Sequence, residues 1–521
     1  MNPTILEKIK SLHWINAWAG NWPHLDTLVL RGEAYEKEAV KICGLSLRLI
    51  EIILTQDGIV TFYRAAECYE AIDKDLLKKF EDDPGFIKNS ATGYSKRVAS
   101  DVRELQKIKK IKNLAKLSNS ELAELFEKAR RHFEYNGMID IYDWYVEKLF
   151  TPVLEKILTE RLTKMGKGNL VSEYISTLVI PHKISVIFKE RQQLFAIIKY
   201  IRVHEPLLAL IKSGAAYTEA LGADTQFAKL FKAYFRKYQW MPVLVNNPPH
   251  TLETVFKEIT DFVIPDAPLE IKTKRLGDNH DEVAIEKSHG YLKELRLSRR
   301  EKLLVLGLRA MAFLRTEDYW VMSKSSFLVM PLYTEVAKRL GLTYSELKQF
   351  FPKEISKQLR EGTKISADEV QSRFKLSAYV TLENDEQFFT GSNAGLIKAV
   401  VDEQLKTKKH SSQTSWKGVV GNGGSVRGLV RVALDPKEAS LIKDGEILVV
   451  TATSAGFVPF LRKAGGIISE FGGLTSHQVI VAREFGVPCL VGVKEITKYL
   501  STGDRVEIDA ERGEVTLVKK I

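Results

Sequence analysis

Residues 472–486 read GGLTSHQVIVAREFG, and this stretch decides the fold of the C-terminal part of the chain. A pair of glycines is typical of the turn that follows a buried strand, and hydroxyl residues such as Thr475 and Ser476 are preferred at the beginning of a helix. The apolar run at 479–482 predicts that the helix is buried, and Gly486 predicts where it ends. The stretch therefore predicts a strand, a tight turn and a short helix with His477 in its first turn.

A histidine in the first turn of a helix occupies an unusual electrostatic position. The unpaired N–H groups and the positive end of the helix dipole disfavour the imidazolium form and favour an anion placed there. Since an imidazole ordinarily titrates near ~6.5, we expect His477 to be neutral and nucleophilic at physiological pH. A phosphoryl group on its ring would meet waiting donors, so the pattern indicates a phosphohistidine. The alternative is an ordinary surface histidine or one whose ring is satisfied in the core.

The longer stretch GGLTSHQVIVAREFGVPCLVG, which begins at Gly472, resembles the signature of the phosphohistidine swivelling domain. Phosphoenolpyruvate (PEP) synthase, pyruvate phosphate dikinase and rifampicin phosphotransferase share that domain. The resemblance implies an α/β fold and a phosphoryl relay in which His477 is the residue phosphorylated. It also implies catalytic positions for Thr475 and Ser476, whose hydroxyls could donate to the phosphate, and support of the phosphate by Gly472 and Gly473.

A second loop of the family, of the form T-x-P-D-W-x-P, helps to frame the same site. The equivalent stretch at 453–459 reads TSAGFVP, so Thr453 is kept while Ala455 and Gly456 replace the proline and the aspartate. Thr453 is therefore expected to support the phosphate site. The departure removes one acidic group near the phosphate, which puts substrate and rate in doubt but leaves the nucleophile in place.

Length and composition set the class of protein. A chain of 521 residues is too long for one typical core, so two or three domains are expected. Three cysteines without metal-ligand spacing favour a reducing compartment. The N-terminus has no apolar core of signal-peptide length, and no run of ~20 apolar residues occurs. These features predict a cytoplasmic protein with no membrane partner.

The net charge of +11 is spread along the chain. From Ser412 onward there are 14 Lys+Arg against 12 Asp+Glu, which leaves 63 against 54 for the longer N-terminal part. The densest basic run, KIKKIK at 107–112, is interpreted as the solvated side of a helix whose apolar side holds Leu105, Ile108, Ile111 and Leu114. Binding to nucleic acid is therefore not predicted, although a positive field is compatible with nucleotide or phosphorylated substrates.

The organisation is predicted to be a large, mainly α-helical region at 1–400, a polar linker at 401–417 and a mixed α/β domain at 418–521. The capping box at 118–121 and the apolar spacing at 143–158, 194–213, 295–314 and 319–340 predict helices. The linker sequence VDEQLKTKKHSSQTSWK is rich in lysine, serine and threonine, as expected of an exposed tether. Short β segments between turns are predicted at 426–432, 447–450, 466–469, 489–491, 505–508 and 515–518.

Two other groups of residues have side chains of the types found in functional sites. The run DNHDE at 278–282 has metal-ligand residue types, but they are adjacent rather than spaced to converge, so a charged loop is predicted and no metal site. The aromatic residues Tyr234, Tyr238 and Trp240 could line a pocket, but their spacing favours the core of a helical region.

A phosphohistidine needs a group that loads it and a group that takes its phosphoryl group. In the family an ATP-grasp domain loads it from ATP, or a barrel loads it from PEP. This sequence has neither a glycine-rich phosphate loop with its lysine nor eight βα units. The resemblance therefore implies a donor site, for ATP or PEP, on a separate protein such as an ATP-grasp protein. Loading is expected to need Mg²⁺.

The helical region weakly resembles the central region of rifampicin phosphotransferase, mainly at 297–346, through LRTEDYWVMSKSSFLVMPLYTEVAKRLGL. It departs where Thr343 and the residues after it replace an acidic position. In that enzyme the corresponding region binds the acceptor, which implies a small-molecule acceptor here. The first hypothesis is thus a phosphotransferase component. The alternatives are a non-catalytic phosphocarrier or regulatory module whose helical region is a docking surface, and a relic that is never phosphorylated.

Overall fold

A computed structural model gives the fold of most of the chain. It describes residues 3–20, 50–134, 139–246, 248–263, 280–382, 385–406, 413–434, 436–451, 453, 457–461, 463–470, 472–473 and 476–521. As predicted, a large helical region is followed by a C-terminal domain with a mixed sheet.

The helices of the N-terminal region are bounded as follows: α1 Pro3–Ser11, α2 Ala66–Asp82, α3 Phe86–Lys109, α4 Asn119–Glu134, α5 Ile139–Lys164, α6 Val171–Leu178, α7 Val186–Val203, α8 Glu205–Lys212, α9 Tyr217–Ala223, α10 Thr225–Tyr238, α11 Leu252–Val263, α12 His280–Glu294, α13 Arg299–Leu340, α14 Tyr344–Leu347, α15 Pro352–Glu361, α16 Ala367–Lys375 and α17 Gly391–Lys406. Single turns of 3₁₀ helix lie at Leu114–Lys116 and Gly168–Leu170, and a longer one at Met241–Asn246. In the C-terminal domain the helices are short: α18 Pro436–Ala439, α19 Val458–Leu461, α20 His477–Phe485 and α21 Ile496–Tyr499. No helix in the described ranges is both long and apolar enough to cross a bilayer.

The 42-residue helix α13 organises the helical region, and α3 and α5 pack along it. It begins at a capping box between Ser298 and Glu301 and ends at Gly341, whose φ of 78° provides the left-handed cap. The sequence predicted two helices here, and that prediction was wrong. The residues between the two predicted helices are polar, but nothing in them prevents α-helical backbone, so the two apolar stretches join in one helix.

A five-stranded antiparallel sheet in the N-terminal region was not predicted. Its order is β1-β3-β2-β4-β5, with β1 Trp14–Gly20, β2 Glu51–Gln56, β3 Ile59–Ala65, β4 Leu376–Leu382 and β5 Asp385–Thr390. The hairpin between β2 and β3 has a local signal, because Asp57 (φ 50°) and Gly58 (φ 81°) form the Asp-Gly turn that suits twisted strands. The pairing of β2 with β4 joins segments more than 300 residues apart, for which the sequence gives no local signal.

Other helix predictions were close, with local differences. The stretch at 194–213 divides at His204 into α7 and α8. In the basic run at 107–112 the helix ends at Lys109, so Ile111 is exposed while Leu105 and Ile108 are buried as predicted. The capping box is confirmed, with the backbone N–H groups of Ser118 and Glu121 each bound by the other's side chain.

The two other groups of residues weighed from the sequence have different outcomes. The three aromatic residues at 234, 238 and 240 are buried in one apolar core, as predicted. Of the run at 278–282, residues 278–279 lie outside the described part and the backbone of the remainder begins α12.

The C-terminal domain is built on an eight-stranded sheet of order β6-β13-β12-β8-β9-β10-β11-β7. Its strands are β6 Ser415–Lys417, β7 Val419–Asn422, β8 Ser425–Val432, β9 Ile447–Val450, β10 Gly466–Ser469, β11 Cys489–Val491, β12 Arg505–Asp509 and β13 Glu514–Lys519. The strands β8, β9, β10 and β11 run parallel, and the others pair antiparallel. Alternate residues of β9 and β10 enter two separate apolar cores, so both faces of the sheet are covered at its centre.

The segment predicted as a linker, 401–417, is partly structured. Helix α17 continues to Lys406, and β6 begins at Ser415 and pairs with β13. Helical and strand residues therefore take up both ends of the predicted linker, and residues 407–414 connect them.

Candidate functional site

The candidate site lies where β10 ends and α20 begins. All four residues of β10 are buried between β9 and β11, so the strand holds the following loop at the carboxyl edge of the parallel strands. Ligands in open α/β sheets bind at that edge. Helix α20 begins at His477, as the sequence predicted, and Val479 and Ala482 fix it in the apolar core.

The end of α20 is also fixed by backbone geometry. Gly486 has a φ of 65°, and the N–H of Val487 donates to the carbonyl of Ala482 over 2.9 Å. This is the bond of a Schellman cap, which only a residue tolerant of positive φ permits. The helix is therefore held at its far end, and its first turn has a defined position relative to β10.

The glycine pair shapes the loop before His477. Gly472 has a φ of 121°, and a Cβ there would lie 2.8 Å from Ser476 Oγ and would overlap Gln478. The backbone N–H and the hydroxyl of Ser476 both donate to the carbonyl oxygen of Gly473, over 3.0 and 2.8 Å. The loop thus folds back on itself just before the helix.

The predicted site residues have different places in this arrangement. Ser476 is 2% exposed, and its hydroxyl donates to the carbonyl of Gly473 within the turn, so its predicted role at the phosphate stays a prediction. The backbone of His477 is the first of α20. Thr475 lies outside the described residues, so its predicted role stays a prediction.

A hydrogen-bonded chain of neutral side chains connects the first turn of α20 to two strand ends. The Thr453 hydroxyl donates to Gln478 Oε1 over 3.0 Å, and Gln478 Nε2 donates to the Ser469 hydroxyl over 3.3 Å. The Ser469 hydroxyl donates to the carbonyl of Thr451 over 3.1 Å. Thr453 was expected to support the phosphate, and here its hydroxyl supports the loop through Gln478.

Sequence reasoning missed Gln478. It is 3% exposed and next to His477, so it fixes the direction in which the first turn of the helix leaves the loop. The available signal was a polar amide in an otherwise apolar run, since a buried amide needs hydrogen-bond partners.

Glu470 directly follows β10 and precedes the glycine pair by two residues in the sequence. Burial raises its pKa above the usual value, while the backbone N–H and hydroxyl of Thr497, which both donate to it, oppose that rise. The carboxyl group is therefore harder to ionise than an exposed glutamate.

The helical region reaches the same loop through an ion pair. A Cβ at Gly473 would overlap Glu147 Oε1 and lie 2.7 Å from its Cδ, so the carboxyl group of Glu147, on α5, touches the loop backbone. Glu147 is paired with Arg315 on α13. Neither residue was nominated from the sequence, although Arg315 lies in the stretch 297–346.

Comparison with known proteins identifies the kind of domain in which this loop lies. Residues 442–513 match the family model described as PEP-utilising enzyme, mobile domain. The C-terminal part of the chain therefore carries a domain of this kind, and the resemblance seen in its sequence is confirmed.

Three relatives illustrate the similarity. The phosphoenolpyruvate synthase of Pyrococcus furiosus is 44% identical over 110 residues, which are 20% of this chain and 14% of that protein. The phosphoenolpyruvate synthase of Aeropyrum pernix is 26% identical over 251 residues, 45% of this chain and 30% of that protein. A protein of Bacillus subtilis named uncharacterized phosphotransferase YvkC is 29% identical over 143 residues, 27% of this chain and 16% of that protein.

The three matches cover different shares of this chain. The match to the Aeropyrum protein is longer than the C-terminal domain, so its similarity extends into the helical region. The chain nevertheless spans less than a third of the length of each of these three relatives.

Proposed function

We propose that this protein is a phosphotransferase component in which His477 carries a phosphoryl group from a donor site to an acceptor bound by the helical region. The observation that carries the proposal is the position of His477 at the N-terminus of α20, behind a glycine loop that touches the helical region at Glu147. The N-terminus of a helix stabilises an anion. The contact with the helical region supports a docked state in which the phosphoryl group faces that region.

The reaction consists of two transfers. In the first, an imidazole nitrogen of His477 attacks a phosphoryl group, an N–P bond forms, and the P–O bond to the leaving group of the donor breaks. In the second, a nucleophilic atom of the acceptor attacks the same phosphorus, and the N–P bond breaks to return the imidazole. Such in-line transfers depend on positioning and on charge stabilisation.

The donor is ATP or PEP, and its site lies on a separate protein, of which an ATP-grasp protein is the expected kind. Mg²⁺ would be needed for loading, where it offsets the charge of the donor phosphates. The acceptor is a small molecule held by the helical region. In this proposal the C-terminal domain moves relative to the helical region to visit the donor and the acceptor in turn.

The test is to incubate the purified protein with labelled ATP or PEP and Mg²⁺, alone and with a lysate as the source of the loading partner. We expect an acid-labile label on wild-type protein and none on His477→Ala, because the nucleophile is gone. The fold should be unchanged, since a first-turn residue contributes little to the core. His13→Ala, a change of an exposed histidine far along the chain, is the matched control and should label normally.

The fate of the label separates the alternatives. Label that is chased from His477 to a small molecule supports the proposed enzyme. Label that remains, or moves only to another protein, supports a phosphocarrier. The proposal is wrong if folded His477→Ala protein retains wild-type turnover or if wild-type protein is never labelled.

A further inference from the structure

The contact between the C-terminal domain and the helical region is made beside the candidate nucleophile. The Glu147 carboxyl group touches Gly473, and the carbonyl of that glycine accepts the N–H of Ser476 over 3.0 Å. His477 is the next residue along the chain and begins α20. The ion pair of Glu147 and Arg315 therefore lies at the mouth of the helix on which the phosphoryl group would be carried.

The guanidinium at this position is held by a long, well-anchored helix. The side chains of Arg315 and Glu147 are 22% and 12% exposed, so the pair is largely enclosed without being fully buried. Arg315 lies in the middle of α13, which is capped at both ends and packs against α3 and α5. Its side chain can exchange partners without movement of the backbone that carries it.

A second pair of the same type joins the same two helices away from the loop. Arg161 on α5 binds Glu301 on α13 at 2.9 Å, 14 residues along each helix from the first pair. At a rise of 1.5 Å per residue the two pairs are about 21 Å apart. Both pairs therefore join α5 to α13, but only the pair of Glu147 and Arg315 lies at the loop. The Arg161–Glu301 pair thus offers a matched control.

Phosphorylation of His477 would change the charge balance at this contact. A balanced pair of Glu147 and Arg315 is compatible with a neutral loop, but a phosphoryl group adds negative charge beside the carboxylate. Like charges that close together disfavour the docked state. An arginine offers two parallel N–H donors to phosphate oxygens, and this geometry suits phosphate better than any other side chain does.

We infer that Arg315 binds the phosphoryl group on His477 when the C-terminal domain is docked on the helical region, and that Glu147 holds this arginine in place while the histidine is unmodified. This inference rests on the proposed function. Arg315 would then be a catalytic residue for the transfer to the acceptor, since it contacts the phosphoryl group itself. Glu147 would be a positioning residue, which makes docking depend on the state of the histidine.

The experiment loads His477 chemically, so that it does not depend on an unidentified partner. Phosphoramidate donates phosphoryl groups to imidazoles, and loading is followed by intact mass. Spin labels are placed on cysteines at the exposed positions Leu77 and Leu441, one in each region, in a chain whose native cysteines are replaced by alanine. The distance between the labels is measured before and after loading in wild type, Arg315→Gln, Arg315→Lys, Glu147→Gln and Glu301→Gln.

We expect wild type and Glu301→Gln to keep the docked distance when loaded. Loaded Arg315→Gln should lose docked population by about tenfold or more, the scale of a lost charge-assisted hydrogen bond, while its unmodified form loses less. The docked population of loaded Arg315→Lys should lie between those of wild type and Arg315→Gln. Loaded Glu147→Gln should dock at least as well as wild type, because the repulsion is removed.

The outcomes distinguish this inference from the proposed function. If His477 takes the phosphoryl group but Arg315→Gln and Glu301→Gln dock alike before and after loading, the inference is wrong and the proposed function stands. If folded wild-type protein takes no phosphoryl group on His477, the proposed function fails and the inference fails with it. Should Arg315→Gln prove unstable, the opposite responses expected of Arg315→Lys and Glu147→Gln still decide the question.

Discussion

The loop at His477 and the face of the helical region that it touches use different chemistry. On the loop side the contacts are neutral, from the backbone and from the hydroxyl and amide groups of Ser476, Gln478 and Thr453. On the helical side the contact is an ion pair between Glu147 and Arg315. Among the described residues, the contacts that shape the loop are thus uncharged, while the contact from the helical region is charged.

This difference would suit the proposed function, in which the C-terminal domain visits two sites. A carrier whose own charges balanced the phosphoryl group would stabilise it equally everywhere, and uniform stabilisation does not favour transfer. A neutral loop lets each docking surface supply its own charge. Preorganised donors at the point where charge develops are the most effective form of such stabilisation.

A change in the backbone of the loop should have the largest effect on phosphorylation of His477. In Gly472→Ala the new side chain meets a φ of 121° and overlaps Ser476 and Gln478, so the turn must rearrange. Such strain costs ~1–3 kcal/mol. We expect phosphorylation of His477 to slow by about tenfold or more, because misplacement by about 1 Å lowers rates by that order or beyond.

Rates of loading from phosphoramidate and from the biological donor would both be measured for this variant. Gly445→Ala is the matched control, since that glycine also has a positive φ, of 82°, but no atom lies within 4 Å of its Cβ position. Equal loading of the two variants would show that the shape of the 472–476 loop is not needed.

Removing the side-chain hydrogen bonds of Gln478 should have a smaller effect on phosphorylation. In Gln478→Leu the hydroxyls of Thr453 and Ser469 lose a partner inside the domain. A buried polar group left without its partner costs ~1–3 kcal/mol, so we expect the melting temperature of the C-terminal domain to fall and loading to slow only a few-fold. Calorimetry and loading rates on the same samples check this. A variant as stable as wild type would show that the amide does not hold the loop.

The C-terminal domain was the more predictable region, because its signals are local. Glycines and short apolar runs marked β9, β10 and β11, and the strand, loop and helix around His477 could be placed from 472–486 alone. The five-stranded sheet was missed because its strands pair between distant parts of the chain. The single helix α13 was missed because two apolar stretches were each interpreted as a helix, although nothing between them ends a helix.

In the candidate site, too, only the residues with local signals could be predicted from the sequence. His477 could be nominated from its neighbours in sequence, and Gln478 had a weak local signal. Glu147 and Arg315 are 168 residues apart, and both are far in sequence from the loop that Glu147 touches. Charged residues on amphipathic helices are common, and no local pattern tells which of them faces another domain.

The smallest expected effect is a difference in how acid changes the stability of the two regions. In the helical region, burial and the neighbouring Arg309 lower the pKa of His182 from its usual 6.5 to about 4. At this histidine the unfolded chain therefore binds more protons than the native one between these values, so the contribution of His182 to stability is lost as the pH falls from 6.5 towards 4. The raised pKa of Glu470 has the opposite effect, since the native carboxyl group holds its proton longer, so its contribution to the stability of the C-terminal domain is lost as the pH rises above about 4.5.

Hydrogen exchange of peptides from each region, corrected for the intrinsic pH dependence, would separate these effects. We expect His182→Leu to flatten the pH dependence of the helical region alone, because the group that resists protonation is gone. Glu470→Gln should stabilise the C-terminal domain at neutral pH, because it keeps an acceptor for Thr497 without the cost of a buried charge. If either change altered the pH dependence of hydrogen exchange equally in both regions, the two regions would unfold as one unit. Their different chemistry at the contact would then not give them separate stabilities.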